Sequence, residues 1–402
     1  VYTALVCGFL PGFAYLGEVD DAIVCSRLAA PRKRVSRGAV GIAGKMTGVY
    51  PFASPGGWRW IGNAVEPELF DPARTPPRRI AVLDTVSFVE APRFEGAYVR
   101  AAAHEPAGSE RFEGAYVRTS APSGAAIEIG RVAPVVTIQD ALGRRGLRGD
   151  GIPWSGALDR ATLEAANAAV GNEPGAAAVE IPIVGFRATA LVDVVISVDG
   201  EPASTLRAGD AIQIPPSPVR AVRYLALRGG VDVPIVLGAR ATLAVAGLGG
   251  LEGRPLRAGD RLAVGGAEAP VVSAASSGSR APSAPRSDDE PLEVIGAAPD
   301  PRLALDAVDI LATGTFVLTA AADRLGARLD GPRVPRAMDD RTLPEPVLPG
   351  ALQITGDGSV IVLGPDAATT GGYPIAGWLT SGSCARLARR RPGATVRFHF
   401  MK

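Results

Sequence analysis

Two sets of glycine- and proline-spaced motifs, around residues 8–63 and 130–374, hold the residues of this chain whose types could do chemistry. In the first, Gly8-Phe9-Leu10-Pro11-Gly12-Phe13-Ala14-Tyr15-Leu16-Gly17 sets backbone amides beside flat walls such as Phe13 and Tyr15, which suits a small planar ligand. On pattern alone it reads as a tight turn with aromatics in the core. Arg32 and Arg34, within Pro31-Arg32-Lys33-Arg34, have the chemistry to hold a carboxylate or phosphate, or to form a solvated basic loop. Gly38 to Lys45 invites comparison with a phosphate loop and fails it. Ala39 stands where GxxxxGK[ST] needs its first glycine, and Met46 replaces Ser/Thr, so the stretch reads as a glycine-spaced strand ending at Lys45. Ser54-Pro55-Gly56-Gly57-Trp58 offers a hydroxyl and amides beside an indole, or a plain surface turn.

The second set contains Gln139-Asp140, Arg144, Ser155, Asp159, Glu180, Asp323-Arg324, Gln353, Thr370 and Tyr373. Asp140, Asp159, Glu180 and Asp323 are candidate general acids or bases if partly desolvated. Each also has a plainer role: Asp159 capping a helix, Asp323 pairing with Arg324, Glu180 buried in a strand. No Ser-His-Asp order, GxSxG or GxGxxG in a βαβ context is present. The two histidines, His104 and His399, and the three cysteines, Cys7, Cys25 and Cys384, lack metal-ligand spacing, so no metal site is expected on them. An odd cysteine count without zinc spacing favours a reducing cytoplasm.

The elements that position these residues are expected to be β. The 49 glycines and 35 prolines suit many short strands joined by tight turns. Leu206-Arg207-Ala208-Gly209-Asp210-Ala211-Ile212 recurs as Leu256-Arg257-Ala258-Gly259-Asp260-Arg261-Leu262, with degenerate copies at Arg391–Phe398 and Leu83–Phe88. Each is a turn feeding a half-buried strand, as small barrels require. Two helices are predicted, Arg160–Val170 capped by Asp159 and Cys384–Arg390 capped by Ser383. Residues 93–124, holding the octapeptide Arg93–Arg100 again at Arg111–Arg118, and Ser-, Ala- and Pro-rich 273–291 read as linkers. They leave units at 1–92, 125–272 and 292–402. A net charge of +1 gives no general attraction for nucleic acid or anionic membrane, no apolar run is long enough to span a bilayer, and no signal peptide is visible. The opening at Val1, within an apolar run, suggests a chain that starts inside a longer product.

Together the motifs resemble the allophanate hydrolase subunit 1 and subunit 2 families, which are the B and C subunits of bacterial 5-oxoprolinase and are related to the carboxyltransferase region of urea carboxylase. Similarity to subunit 1 covers about residues 1–90, through GFLPGFAYLG, VSRGAVGIAG, TGVYP and SPGGW. Similarity to subunit 2 covers about 126–402, through TIQDALGRRGLRGDGIPWSGALD, ADRLGARLDGP and TTGGYP. Ser36-Arg37, Lys45-Met46, Ala322 and Leu325 depart from the usual family residues, and the domain that normally precedes the GFLPGF motif is absent.

The resemblance implies mainly β architecture, with multiple cyclophilin-like β-barrel domains, a few short helices, and two usually separate subunits joined in one chain. It implies a hydrolase acting on cyclic amides: a component of an ATP-dependent 5-oxoprolinase that converts 5-oxo-L-proline to L-glutamate with Mg and an A-type subunit. The alternatives are a biotin-dependent carboxyltransferase, with carboxybiotin, biotin carboxylase and carrier supplied in trans, and a non-catalytic kinase-inhibitor-like regulator. A homo-oligomer is expected. The expected catalytic residues are Lys45, Asp140, Asp159 and Asp323. The expected substrate-binding residues are Phe13, Tyr15, Arg32, Arg34, Ser54, Gly56, Trp58, Gln139, Arg144, Ser155, Arg324, Thr370 and Tyr373.

Overall fold

The computed structural model describes residues 1–28, 30–65, 68–89, 124–265, 288–296, 300–337 and 344–401. The octapeptide repeat, His104 and most of both inferred linkers lie outside the described residues. The described part is mainly β, and its strands fall into sheets that follow one another along the chain.

Residues 2–86 form a six-stranded antiparallel sheet in the order Arg59–Asn63, Ala39–Ala43, Met46–Val49, Ala14–Gly17, Tyr2–Cys7 and Thr85–Val86, with a ribbon of Arg32–Val35 and Ser54–Gly56 beside it. Residues 125–264 form two five-stranded sheets. Their inward-facing Ile127, Ile129, Ile138, Val179, Ile181, Phe186, Leu225 and Leu262 share one core. The alternation that sends Val179 and Ile181 inward sends Ala178 and Glu180 to the opposite face. There the α1 helix (Arg160–Ala169) covers them with Leu163 and Ala166, so that both faces of this strand are buried.

The last sheet has eight strands, and its two ends are Thr395–Val396 and Phe398–Met401. These two segments are separated in the chain by Arg397 alone. The chain therefore pairs first with Phe316–Leu318 at one edge and then with Leu292–Gly296 at the other, bending the sheet into a nearly closed barrel. Closure limits exposure of unpaired edge groups.

The repeated turn shares its backbone bonds in its four copies among the described residues, and the carboxylate bond is missing only from the Arg391 copy, where Ala394 stands in place of the aspartate. At Arg207–Asp210 and Arg257–Asp260 the aspartate carboxylate accepts from the first backbone N–H, the aspartate N–H returns to the first carbonyl, and the glycine sits at positive φ. The glycine N–H then crosses to a facing strand, Gly209 to Ala190 and Gly259 to Ile129, both at 2.8 Å. Gly393 makes the corresponding bond to Leu318 at 2.7 Å, and Leu83 to Ala4 at 2.8 Å. In the Leu83 copy a leucine occupies the glycine position at φ 74°.

Two expectations are corrected. The α3 helix is Ser381–Arg389, about a turn earlier than predicted, because the Thr380 hydroxyl accepts from the Ser383 N–H, while Ser383 lies inside the helix and accepts from Glu293 N–H. A short helix, α2 (Ala307–Thr313), was not foreseen. Within the inferred second linker, the described residues are held by Arg389 and Arg390: Asp288 pairs with Arg389, and Arg390 donates to the carbonyls of Asp288 and Glu290.

Candidate functional site

The three units meet where the 8–17 loop, the 139–159 segment and the 365–371 segment come together. The first unit supplies an aromatic cluster. The Phe13 ring stands edge-on to Tyr15 at 5.0 Å, to Tyr50 and Trp58 at 5.5 Å and to Phe9 at 5.6 Å. Ile152, Leu243 and Leu248 of the second unit pack into the same core. Arg78 pairs with Asp150, and Gly12 N–H reaches the Asp150 carbonyl at 3.4 Å. Gly8 lies so close to Thr370 that a Cβ there would stand 2.2 Å from its Cγ2. The Tyr15 phenol, raised above its ordinary pKa by burial, faces the Thr370 hydroxyl, which with Arg27 acts in the opposite direction.

The 139–159 segment is folded back on itself by buried side chains. Gln139 Oε1 accepts from Gly156 N–H at 3.1 Å. Asp140 accepts from the N–H groups of Gly143, Arg240 and Ala241. Arg144 donates to the carbonyls of Val236 and Ala241. Gln139, Asp140 and Arg144 thus build this loop. It presents Arg145, Arg148, Trp154 and the buried Ser155 to the neighbouring segments. The Arg145 guanidinium lies 3.9 Å and that of Arg148 5.4 Å from the Trp154 ring centroid. Burial and then the Arg145 charge push Arg148 down to about 10.

Arg148 Nη2 donates to the carbonyls of Val347 and Ala368, while Nη1 is buried without a hydrogen-bond partner among the described residues. The Ser155 and Thr369 hydroxyls and Gln353 Nε2 are buried in the same condition. Ser155 is held at φ 56° by its N–H bond to the Pro365 carbonyl. An unpartnered buried donor costs on the order of 1–3 kcal/mol, so several on touching segments point to a ligand rich in acceptors.

The other expected residues distribute as follows. Tyr15, Ser155 and Thr370 are at the junction, and Phe13, Gly56 and Trp58 belong to the aromatic cluster. A Cβ on Gly56 would meet the Tyr50 hydroxyl at 2.5 Å. Arg32 donates to the Trp58 carbonyl at 2.9 Å, Ser54 has a buried hydroxyl without a partner among the described residues, and Arg34 is exposed. Tyr373 is half-exposed. None of the four expected catalytic residues presents a free group to the junction. Lys45 is exposed against Asp21 and Glu18, whose hydrogen bonding and charge raise its pKa. Asp159 caps α1 and pairs with Arg389 at 3.0 Å. Asp323 closes a turn by accepting from the N–H groups of Leu325 and Gly326. Arg324 turns away from Asp323 and pairs with Glu180 at 2.5 Å and Asp366 at 2.8 Å. Arg148 and Thr369 lie within the GRRGLRGDGIPWSG and TTGGYP motifs but are not among the expected site residues. An open cleft of 650 Å³ lies elsewhere, between Val49, Leu69 and Thr85, and contains none of the expected residues.

A nearly closed, mainly β barrel joined to a second β unit through shared buried loops is consistent with a carboxyltransferase fold. The chain belongs to that family: residues 150–400 match the carboxyltransferase domain, subdomain A and B, and residues 1–80 match subdomain C and D. It is 32% identical over 295 residues to the C subunit of 5-oxoprolinase from Escherichia coli K12, spanning 68% of this chain and 90% of that one. Over 95 residues it is 47% identical to the B subunit of 5-oxoprolinase from Escherichia coli O157:H7, which is 24% of this chain and 42% of that relative's length. The crystal structure of TTHA0988 superposes with a TM-score of 0.81 at 30% identity, over 100% of this chain and 79% of that one. The chain is thus a fusion of B-like and C-like parts. No helix among the described residues is long and apolar enough to cross a membrane.

Proposed function

We propose that this chain is the B- and C-like component of an ATP-dependent 5-oxoprolinase that opens 5-oxo-L-proline to L-glutamate together with an A-type subunit in the cytoplasm. The observation that carries this reading is that relatives of two subunits of one enzyme occur in one chain, with Gly8 of the B-like part seated on Thr370 of the C-like part. Lactam opening is difficult because amide resonance stabilises the ring bond. Phosphorylation of the lactam oxygen gives an imidate carbon that water can attack. The ring nitrogen then leaves as the amine, and a second water releases phosphate from the acyl phosphate.

The buried donors of the junction suit a small oxyanion, and Gly38–Lys45 is a strand and turn and not a phosphate loop. In this reading the nucleotide belongs to the A-type subunit. This chain contributes a junction whose aromatic wall excludes water and whose buried donors hold the substrate and the charge developing on it. Arg148, Ser155, Thr369, Thr370 and Tyr15 are the residues proposed for it.

Purified chain is to be mixed with candidate A-type subunits, 5-oxo-L-proline, ATP and Mg, and glutamate release followed. Release that requires both proteins is expected. The second reading, a carboxyltransferase with carboxybiotin supplied in trans, is favoured by the family's own chemistry. It gains if no A-type subunit yields glutamate while carboxybiotin transfers its carboxyl group to an amide in the presence of this chain.

A further inference from the structure

An arginine already paired with a carboxylate is poorly placed to hold a further anion: Arg324 pairs with Glu180 and Asp366, and Arg78 with Asp150. Arg148 differs. The acid nearest to it in sequence, Asp150, is taken by Arg78, and the charge that bears most on Arg148 is the like charge of Arg145. Two carbonyls occupy Nη2, and Nη1 is buried with no partner among the described residues. A guanidinium carried into protein without an anion and with unused N–H groups is unfavourable, because desolvation is not repaid. The segments it touches bring two further buried hydroxyls without partners among the described residues, Ser155 and Thr369. All three groups can donate to the same class of ligand.

We infer that Arg148 anchors a buried small-oxyanion subsite, taking one oxygen of a carboxylate or phosphate on Nη1, with the Ser155 and Thr369 hydroxyls donating from the flanking segments. The subsite concerns the anion and not the reaction. It therefore stands or falls separately from the 5-oxoprolinase reading.

The test is calorimetric titration of the full 402-residue chain with 5-oxo-L-proline, with inorganic phosphate and with 2-pyrrolidinone, the lactam without its carboxylate. Arg148→Met is expected to weaken binding of the anion by about tenfold or more, the scale of one charge-assisted hydrogen bond. Arg207→Met, which removes the same charge from an exposed turn, is expected to change nothing. Pyrrolidinone binding is expected to be the same with and without Arg148. Should Arg148→Met fail to fold, Arg148→Lys keeps the charge, loses the planar fork and is expected to weaken binding measurably. Dependence on Arg148 for phosphate alone upholds the subsite and removes 5-oxoproline as its occupant. The inference is overturned if neither anion binds the unmodified chain at about 10 mM, or if the folded Arg148 variant binds both as well as the unmodified chain does.

Discussion

Arg324 connects what two separate sheets bury. Its Nε and Nη2 meet Asp366, Nη1 meets Glu180, and Nη2 also reaches the Gly156 carbonyl at 2.8 Å. Glu180 in turn accepts from the Tyr224 hydroxyl at 2.7 Å and from Leu158 N–H at 2.9 Å. Burial alone would lower the Arg324 pKa; Asp366 and Glu180 outweigh it and raise the guanidinium above its ordinary range. Removing the cation leaves two carboxylates buried together, so Arg324→Met is expected to cost about 3–5 kcal/mol in denaturant unfolding. Adding Glu180→Gln is expected to recover part of that loss, which a purely steric role for Arg324 would not allow. The phenols make a second prediction at this scale. Burial, the largest cause, pushes Tyr50 up to about 12 and raises Tyr15 and Tyr224 as well. A phenol whose folded pKa is raised binds its proton more tightly in the native state. Its stabilisation is complete below the unfolded value near 10 and is lost as pH rises through about 12 for Tyr50. Stability is expected to fall across that window and to fall less steeply in Tyr50→Phe. Tyrosinate absorbance read alongside unfolding separates the buried phenols from the exposed ones.

Among the elements, the repeated turn shows how far pattern carries. Its Gly-Asp pair predicted a turn into a strand, and at Gly209-Asp210 and Gly259-Asp260 the side chains make that turn by local bonds that sequence can encode. The α1 helix was legible for the same reason: Asp159 and the Leu163–Ala166 stripe are local signals. The start of α3 was not, since Ser381-Gly382 is weak helix sequence and Ser383 is fixed by a strand 90 residues away in sequence. The junction was legible in part. The motifs pointed to Ser155, Thr370 and the aromatic loop. Arg148, however, is one of several arginines in its segment, and it is distinguished only by which acids its neighbours take. The bonds that Asp140 and Asp323 make were not legible, because the turn and loop N–H groups they accept from are assembled only by the fold. At the fourth turn, Leu83 holds φ 74° with its side chain exposed, so glycine there removes left-handed strain without removing a contact. Leu83→Gly is expected to stabilise the chain by about 0.5–1 kcal/mol in thermal or denaturant unfolding, the strain relieved exceeding the entropy added to the unfolded chain. A neutral or negative change would mean that the entropy glycine adds to the unfolded chain matches or exceeds the strain it relieves.

For the molecule as a whole, the question is whether the B-like and C-like parts work as one body or merely share a chain. Their contact is steric where Gly8 meets Thr370: a Cβ on Gly8 would lie 2.2, 2.5 and 2.9 Å from Cγ2, Oγ1 and Cβ of the threonine. No left-handed φ accompanies Gly8, so an alanine there is opposed by space alone. Gly8→Ala must push the 8–17 loop off the 365–371 segment or displace the threonine, an overpacking cost of about 1–3 kcal/mol. Gly62→Ala, which meets nothing within 4 Å, is the matched control. The expected outcome is that Gly8→Ala lowers the unfolding midpoint and exposes the junction to limited proteolysis, while Gly62→Ala does neither. Thr370→Gly removes the three opposing atoms, so the double variant Gly8→Ala/Thr370→Gly is expected to regain the midpoint that Gly8→Ala loses. Thr370→Ala, which keeps the atom at 2.9 Å, is expected to restore only part of it. Coupling energies that rank in this order locate the joint between the two parts at this contact, and equal effects of all the variants would place it elsewhere along the interface.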